Sequence, residues 1–228
     1  MSLTPDYQRD WPAYFDAVAD QPPRDTLLRA LDATANDHAG RMAELFAIDL
    51  ACGEGRDTRE ILRRSQPWRV FAVDNSDDAL ARLGASLPQE SRARVRTACC
   101  PLEEVPARAD MLPGTADLIN ASFALPFCHE DHFPALWAWI VRTLRPGGRF
   151  AGQLFGDRDE WAAVNPRRHF SRGQVLALLG WFDVEHFDEA EKTGSDALMA
   201  TKRHHLFHIV AVKPTGGGHP AGRGLRPA

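Results

Sequence analysis

The chain has 228 residues, 44% of them apolar and 25% charged, which is enough to bury one full hydrophobic core. A net charge of −4, with no basic run and no interleaving of aromatic and basic residues, argues against a nucleic-acid binder. No apolar stretch reaches membrane-spanning length and the N-terminal MSLTPDYQRDW lacks the order of a signal peptide, so no membrane helix is expected and the cytoplasm is the default location.

In chain order, residues 9–19 and 24–35 read as helices, separated by Gln21-Pro22-Pro23, whose prolines suit a helix entrance. Together they form an N-terminal helical cap, residues 1–40, ahead of a main domain over 41–214. Strands are predicted over 46–51, 69–73, 95–99, 117–121, 149–155, 182–187 and 204–212. Helices are predicted over 57–64, 77–86 with Ser76 as cap, 132–144, and 172–179 with Ser171 as cap. Phe133, Leu136, Trp137, Ile140, Val141 and Leu144 fall on one face of the third of these and are read as core. The alternation implies a doubly wound, mostly parallel α/β sheet of seven strands with helices on both faces. Between the last two strands lies DEAEKTGSDALMATKR, with no helix to make a parallel crossover, so the final strand is expected to be antiparallel. Residues 215–228 are Gly- and Pro-rich without apolar pattern and read as a flexible tail.

The four cysteines make no C-x-x-C pair, and the adjacent Cys99 and Cys100 point to opposite faces of a strand. Reduced, packed thiols are expected, with no disulfide and no metal site.

The most informative stretch is Ile48-Asp49-Leu50-Ala51-Cys52-Gly53-Glu54-Gly55-Arg56-Asp57, an apolar run that breaks into two glycines before a helix. A strand, glycine turn and helix let backbone approach a ligand without Cβ interference and aim unpaired N–H groups at it. Twenty-one residues past Gly53, the next predicted strand ends in Asp74, placed to accept hydrogen bonds from both hydroxyls of a ribose. A dinucleotide fingerprint would carry a third glycine where Thr58 stands, which weakens a pyrophosphate reading. Asp49 with Ala51, Gly53 and Gly55 instead resembles the acid-x-Gly-x-Gly-x-Gly motif of class I S-adenosylmethionine-dependent methyltransferases, Ala51 replacing the first glycine. ADLINA at 116–121 is similar to that family's fourth strand, and Leu144-Arg145-Pro146-Gly147-Gly148 to its Leu-x-Pro-Gly-Gly turn. The last strand, Lys202 to Pro214, resembles that of small bacterial methyltransferases of the tellurite-resistance type.

The resemblance implies a Rossmann-like methyltransferase fold, S-adenosyl-L-methionine as cofactor with S-adenosyl-L-homocysteine as product, and a small-molecule acceptor. Asp49, Ala51, Gly53 and Gly55 would then face the methionine part, Asp74 the ribose, and Asn75 the adenine. The family's adenine-reading acid is replaced by Cys100, leaving Leu102 backbone or the Glu103 side chain as substitutes. Asn120, Ala121 and Ser122 would lie near the sulfonium, outside the carboxyl ends of the strands. Methyl transfer from a sulfonium needs alignment and water exclusion more than a base. Where a base is required, His129, His205 and His208 are candidates, the last two with opposite strand parity. The acceptor would be roofed by Trp11, Tyr14 and Phe15 and by segment 156–170, whose Arg167 and Arg168 suit an anion. Two alternatives stay open: an NAD(P)-dependent oxidoreductase, and a non-catalytic cofactor-binding protein of the same fold, which the missing acid at Cys100 permits.

Overall fold

A computed structural model describes residues 10–108, 114–163, 168–195 and 201–216. Arg167 and the tail beyond residue 216 fall outside the described residues. Seven strands, β1 (Leu45–Leu50), β2 (Trp68–Asp74), β3 (Val95–Cys99), β4 (Ala116–Ala121), β5 (Leu144–Phe155), β6 (Asp183–Ser195) and β7 (Thr201–Val212), form one sheet in the order β3-β2-β1-β4-β5-β7-β6. β1 to β5 pair in parallel, whereas β7 runs antiparallel to both β5 and β6, from Arg149↔Val212 to Phe155↔Leu206 on one side and along the whole hairpin on the other. This is the expected doubly wound sheet with a reversed last strand.

Helices α1 (Trp11–Val18), α2 (Asp25–Asp37), α3 (Arg56–Arg63), α4 (Asp77–Ser86), α5 (Gln89–Arg92), α6 (Phe133–Thr143) and α7 (Arg172–Leu178) cover the sheet. Their ends follow ordinary capping chemistry. Asp10 accepts from the Ala13 amide, Ser76 accepts from Ala79, and Ser171 with Gln174 closes a reciprocal capping box. The β1 segment LFAIDL is buried on both faces, so its side chains divide by parity between two cores. Ile48 and Leu50 join Phe71, Phe150, Phe207 and the α6 residues Leu136 and Ile140, while Leu45 and Ala47 join Leu27, Leu31, Ile61 and Leu118 beneath α2 and α3. Asp49 shares the parity of Ala47 and therefore points toward α3.

Two polar anchors fasten these layers. Arg149, 4% exposed, pairs with Glu185 on β6 and Asp37 on α2, and Asp117 accepts from the Phe46 amide while pairing with Arg145. β5 starts earlier than the sequence indicates. Leu144 already pairs with Ala116, and the Pro146-Gly147-Gly148 turn is a bulge inside the strand, with Gly147 at φ +80°. β6 and β7 likewise outrun their predicted limits at the hairpin end. Among the described residues, no helix is long and apolar enough to cross a membrane.

Candidate active site

The carboxyl ends of β1, β2 and β4 open onto a cleft of about 1010 Å³, floored by Ala51, Gly53, Val73 and Asp74. That is the upper end of the range for ligand pockets. One end is lined by Asn75, Ser76, Cys100, Leu102 and Glu103, and the other by Phe123, Phe155, Trp161, Lys202, His204 and Leu206. The α1 residues Trp11, Tyr14 and Phe15 form part of the wall.

The turn after β1 is left-handed at three of its residues, Ala51 at φ +50°, Gly53 at φ +57° and Gly55 at φ +90°. Such backbone is ordinary for glycine and strained for alanine, which explains why a glycine is the usual occupant of the first position. A Cβ on Gly53 would only touch the Phe15 ring, at 3.4 Å, so the left-handed backbone rather than lack of room calls for glycine there. The Gly53 amide donates to Asp74 Oδ2 at 2.8 Å, and Asp74 Oδ1 accepts from the Ser76 amide at 3.0 Å. Burial pushes the Asp74 carboxyl above its usual range, against the opposing pull of these backbone hydrogen bonds.

Beneath the turn lies a carboxylate network. Asp49, 1% exposed, accepts from Thr58 Oγ1 at 2.6 Å and from Asn120 Nδ2 at 2.8 Å. Asn120 Nδ2 also reaches Asp57 Oδ2 at 3.1 Å, and its Oδ1 accepts from Ser122 Oγ at 2.9 Å. Burial, with the Asp57 charge close by, raises the Asp49 pKa to about 7. Thr58 thus performs a task that a third glycine could not, because only a hydroxyl supplies that donor.

The sequence-derived candidates separate into two groups. Ala51, Gly53, Asp74, Asn75, Leu102 and Glu103 line the cleft, and Asp49 lines a smaller recess beside it. Gly55, Asn120 and Ala121 do not. Gly55 caps α3 at φ +90°, and a Cβ there would lie 2.2 Å from Leu83 Cδ1, so its bareness serves packing against α4. Asn120 is fully buried as the link between Asp49 and Asp57, and Ala121 is likewise fully buried. Glu103 Oε1 accepts from the His129 amide at 2.8 Å, bridging two loops.

None of the three candidate bases lines the cleft. His129 stands on an exposed loop and its carbonyl receives the first amides of α6. His205, fully buried, is held between the Arg158 amide at Nδ1 and Glu189 at Nε2, and its ring fills the space a Cβ on Gly156 would need. His208 lies on the opposite face of β7, as the parity required, edge-on to Phe123, and burial lowers its pKa. Arg168 stacks over Phe133 and Phe170, on the α6 side of the sheet, and does not line the cleft.

Several lining residues carry no sequence signal. Phe123 sits at φ +54°, an outlier for a bulky residue, with its amide fixed by Gln153 Oε1 at 2.8 Å. Gln153 in turn donates to Thr26 Oγ1 at 2.9 Å, joining the loop after β4 to the start of α2. The Arg24 guanidinium lies 4.5 Å above the Phe123 ring centroid. Lys202 Nζ lies 3.5 Å from the Trp161 centroid and pairs with buried Asp159 at 2.5 Å. Only the aromatic content of segment 156–170 hinted at this end.

The methyltransferase domain family matches residues 47–148, a span that holds the turn, Asp74 and the buried network. Over those residues, just under half of the chain, it is similar to the S-adenosylmethionine-dependent methyltransferases. Within curated members of that class, it is 29% identical over 138 residues to a trans-aconitate 2-methyltransferase of Deinococcus radiodurans, covering 60% of this chain and 45% of the relative. It is also 29% identical over 158 residues to the enzyme of the same name from Delftia acidovorans, covering 64% of this chain and 55% of the relative. The chain thus spans about half the length of these relatives. Among solved methyltransferase structures, a 1,6-didemethyltoxoflavin-N1-methyltransferase of Burkholderia thailandensis, bound to its named acceptor and S-adenosylhomocysteine, shares the fold. Its TM-score is 0.61 at 24% identity, over 92% of this chain and 86% of that one.

The four cysteines, all among the described residues, form no disulfide. Burial raises Cys52 well above its ordinary value and pushes Cys128 up to about 12, so neither is a ready nucleophile.

Proposed function

We propose that the chain binds S-adenosylmethionine across the turn after β1 and transfers its methyl group to a small-molecule acceptor held at the aromatic end of the cleft. One observation carries this reading. Asp74, its carboxyl largely buried, is aimed by the Gly53 amide into a cleft whose far side continues into Phe123, Phe155 and Trp161. In this arrangement Asp74 takes the ribose hydroxyls, while Asn75, Leu102 and Glu103 surround the adenine in place of the acid replaced by Cys100.

Methyl transfer from the sulfonium is an in-line displacement, in which the acceptor lone pair forms the new bond to carbon as the sulfur–carbon bond breaks. The protein's part is to align the two and exclude water, which the α1 aromatics and the apolar far end do. With no candidate histidine lining the cleft, the reading favours acceptors that are nucleophilic without losing a proton. The acceptor in the names of the curated relatives, a carboxylic acid anion, is of that kind. A small acceptor rather than a nucleic acid also suits a net-negative chain.

The test is calorimetric titration with S-adenosylmethionine and S-adenosylhomocysteine on wild type, Asp74→Ala and Gly53→Val. Binding of both ligands by wild type and loss in both variants is expected, followed by turnover in a screen of carboxylates and heterocycles. Absence of binding to folded wild type would overturn the reading.

A further inference from the structure

We propose that a notch on the β6–β7 hairpin, bounded by Lys192, His204 and Lys202, holds an oxyanionic group of the acceptor that is not itself methylated. The assignment rests on the reading above only in calling the bound molecule the acceptor. The cleft is divided by charge. Its lining acids among the described residues, Asp74 and Glu103, stand on the side of β2 and β3, whereas Lys192, Lys202 and His204 stand at the opposite end.

Strand parity makes the notch. Lys192 lies directly opposite His204 and Gly194 directly opposite Lys202, so these four positions share one face of the hairpin. The lysines and His204 line the cleft, and Gly194 leaves the fourth corner bare. A Cβ added to Gly194 would meet nothing within 4 Å among the described residues, so that corner is open space. Residues of the other parity turn away from the cleft. There Glu189 and Glu191 are engaged by Arg158, and Glu189 also by Arg172. Asp188, an acid of the inner parity, stands opposite His208 and does not line the cleft.

The two lysines play different parts. Lys202, 6% exposed, is fixed by Asp159, which also accepts from the Trp161 amide at 3.0 Å and the His205 amide at 3.1 Å. Lys192 pairs with no acid among the described residues, and Lys202 is its diagonal neighbour across the ladder, about 7–8 Å away. His204 Nε2 donates to the Gly194 carbonyl at 3.2 Å, which sets the ring against the wall of the notch. An oxyanion in the bare corner answers the Lys192 charge and screens it from Lys202. Distance then shapes the rest of the molecule. β7 is three strand spacings from β1, about 14 Å, so a group in the notch lies well away from the turn. The acceptor is therefore elongated, with its oxyanion in the notch, its body along Phe155 and Trp161, and its nucleophile toward the turn. The nucleophile's lone pair takes the methyl, sulfur keeps the electrons of the broken bond, and the oxyanion retains its charge throughout.

The experiment titrates the protein, alone and saturated with S-adenosylhomocysteine, with succinate, citrate, isophthalate and phenyl phosphate, and with succinamide and isophthalamide as neutral counterparts. Melting temperature is the readout, on wild type, Lys192→Gln, Gly194→Val and Arg203→Gln. Valine suits a strand and fills the bare corner, and its unligated melting temperature shows that the fold is kept. Arg203 has the outer parity and does not line the cleft, so its variant removes an equal charge without touching the notch. At least one anion is expected to stabilise wild type where the amides do not, the carboxylate and phosphate arms telling which oxyanion is taken. Its apparent affinity should fall about 10-fold in Lys192→Gln and in Gly194→Val, and stay within about twofold in Arg203→Gln. No preference for an anion over the amides, or an equal loss in Lys192→Gln and Arg203→Gln, would overturn the assignment. Should Gly194→Val not fold, the contrast between Lys192→Gln and Arg203→Gln decides alone. Wild type that takes the anion but not S-adenosylhomocysteine would remove the cofactor reading and keep the notch, and the reverse would remove the notch alone.

Discussion

The Gly53 amide donates to Asp74 Oδ2 at 2.8 Å, which makes the turn after β1 and the end of β2 a single mechanical unit. Removing the carboxylate therefore strands a turn amide as well as the proposed ribose contact. Asp74→Ala is expected to weaken S-adenosylhomocysteine binding about 100-fold, and Asp74→Asn, which keeps one acceptor oxygen, about 10-fold. Calorimetry reads both, and full affinity in Asp74→Ala would refute the role of this acid.

Asp49 makes stability depend on pH. Its carboxyl shifts from an ordinary value of 3.8 to about 7 in the fold. Between those values the native state holds a proton that the unfolded chain has released, so this contribution is fully present below about pH 4 and is lost as pH rises through 7. Urea melts from pH 5 to 8 should show wild type losing stability relative to Asp49→Asn, with a slope difference of at most about 1.4 kcal/mol per pH unit. A pH-independent difference would contradict the shift.

Ala51 and Gly55 respond oppositely to exchange of alanine and glycine. Ala51→Gly releases the strain of φ +50° at the cost of a looser unfolded chain, and the net expectation is a gain of about 0.5 kcal/mol where the same change usually destabilises. Chemical denaturation of the two proteins checks the sign.

Gly55→Ala places a Cβ 2.2 Å from Leu83 Cδ1 at φ +90° and is expected to destabilise by about 2–4 kcal/mol. Leu83→Ala in the same chain should recover the overlap part of that loss and leave the backbone part. Because Gly55 lies off the cleft, the folded fraction of Gly55→Ala should bind S-adenosylhomocysteine as wild type does. A selective loss of affinity would return Gly55 to the ligand.

Much of the architecture was readable in the sequence, because buried parallel strands show as apolar runs and Ser76 and Ser171 announce their helices. The reversed β7 was readable from a segment too polar for a crossover helix. The early start of β5 was not, because Pro146-Gly147-Gly148 has the chemistry of a turn and is one, folded into a strand. In the site, motif spacing reached Ala51, Gly53 and Asp74, whose positions follow from local backbone. Asn120 and Gly55 carry motif positions yet serve the interior, a distinction that only burial reveals. Arg24 and Phe123 escaped because one lies on a helix entrance far from the motif, and the other acquires its backbone angle from Gln153, thirty residues on.

The β6–β7 hairpin runs past the end of β5: from Thr201 to His205, β7 pairs with β6 alone. This overhang brings Lys192, Ser195, Lys202 and His204 to the far end of the cleft from Asp74, while the turn and Asp74 sit in the central strands. The two halves of the site thus ride on separate parts of the chain. A lineage could rewrite the overhang, and with it the far wall of the cleft, at little expense to the turn that Asp74 holds.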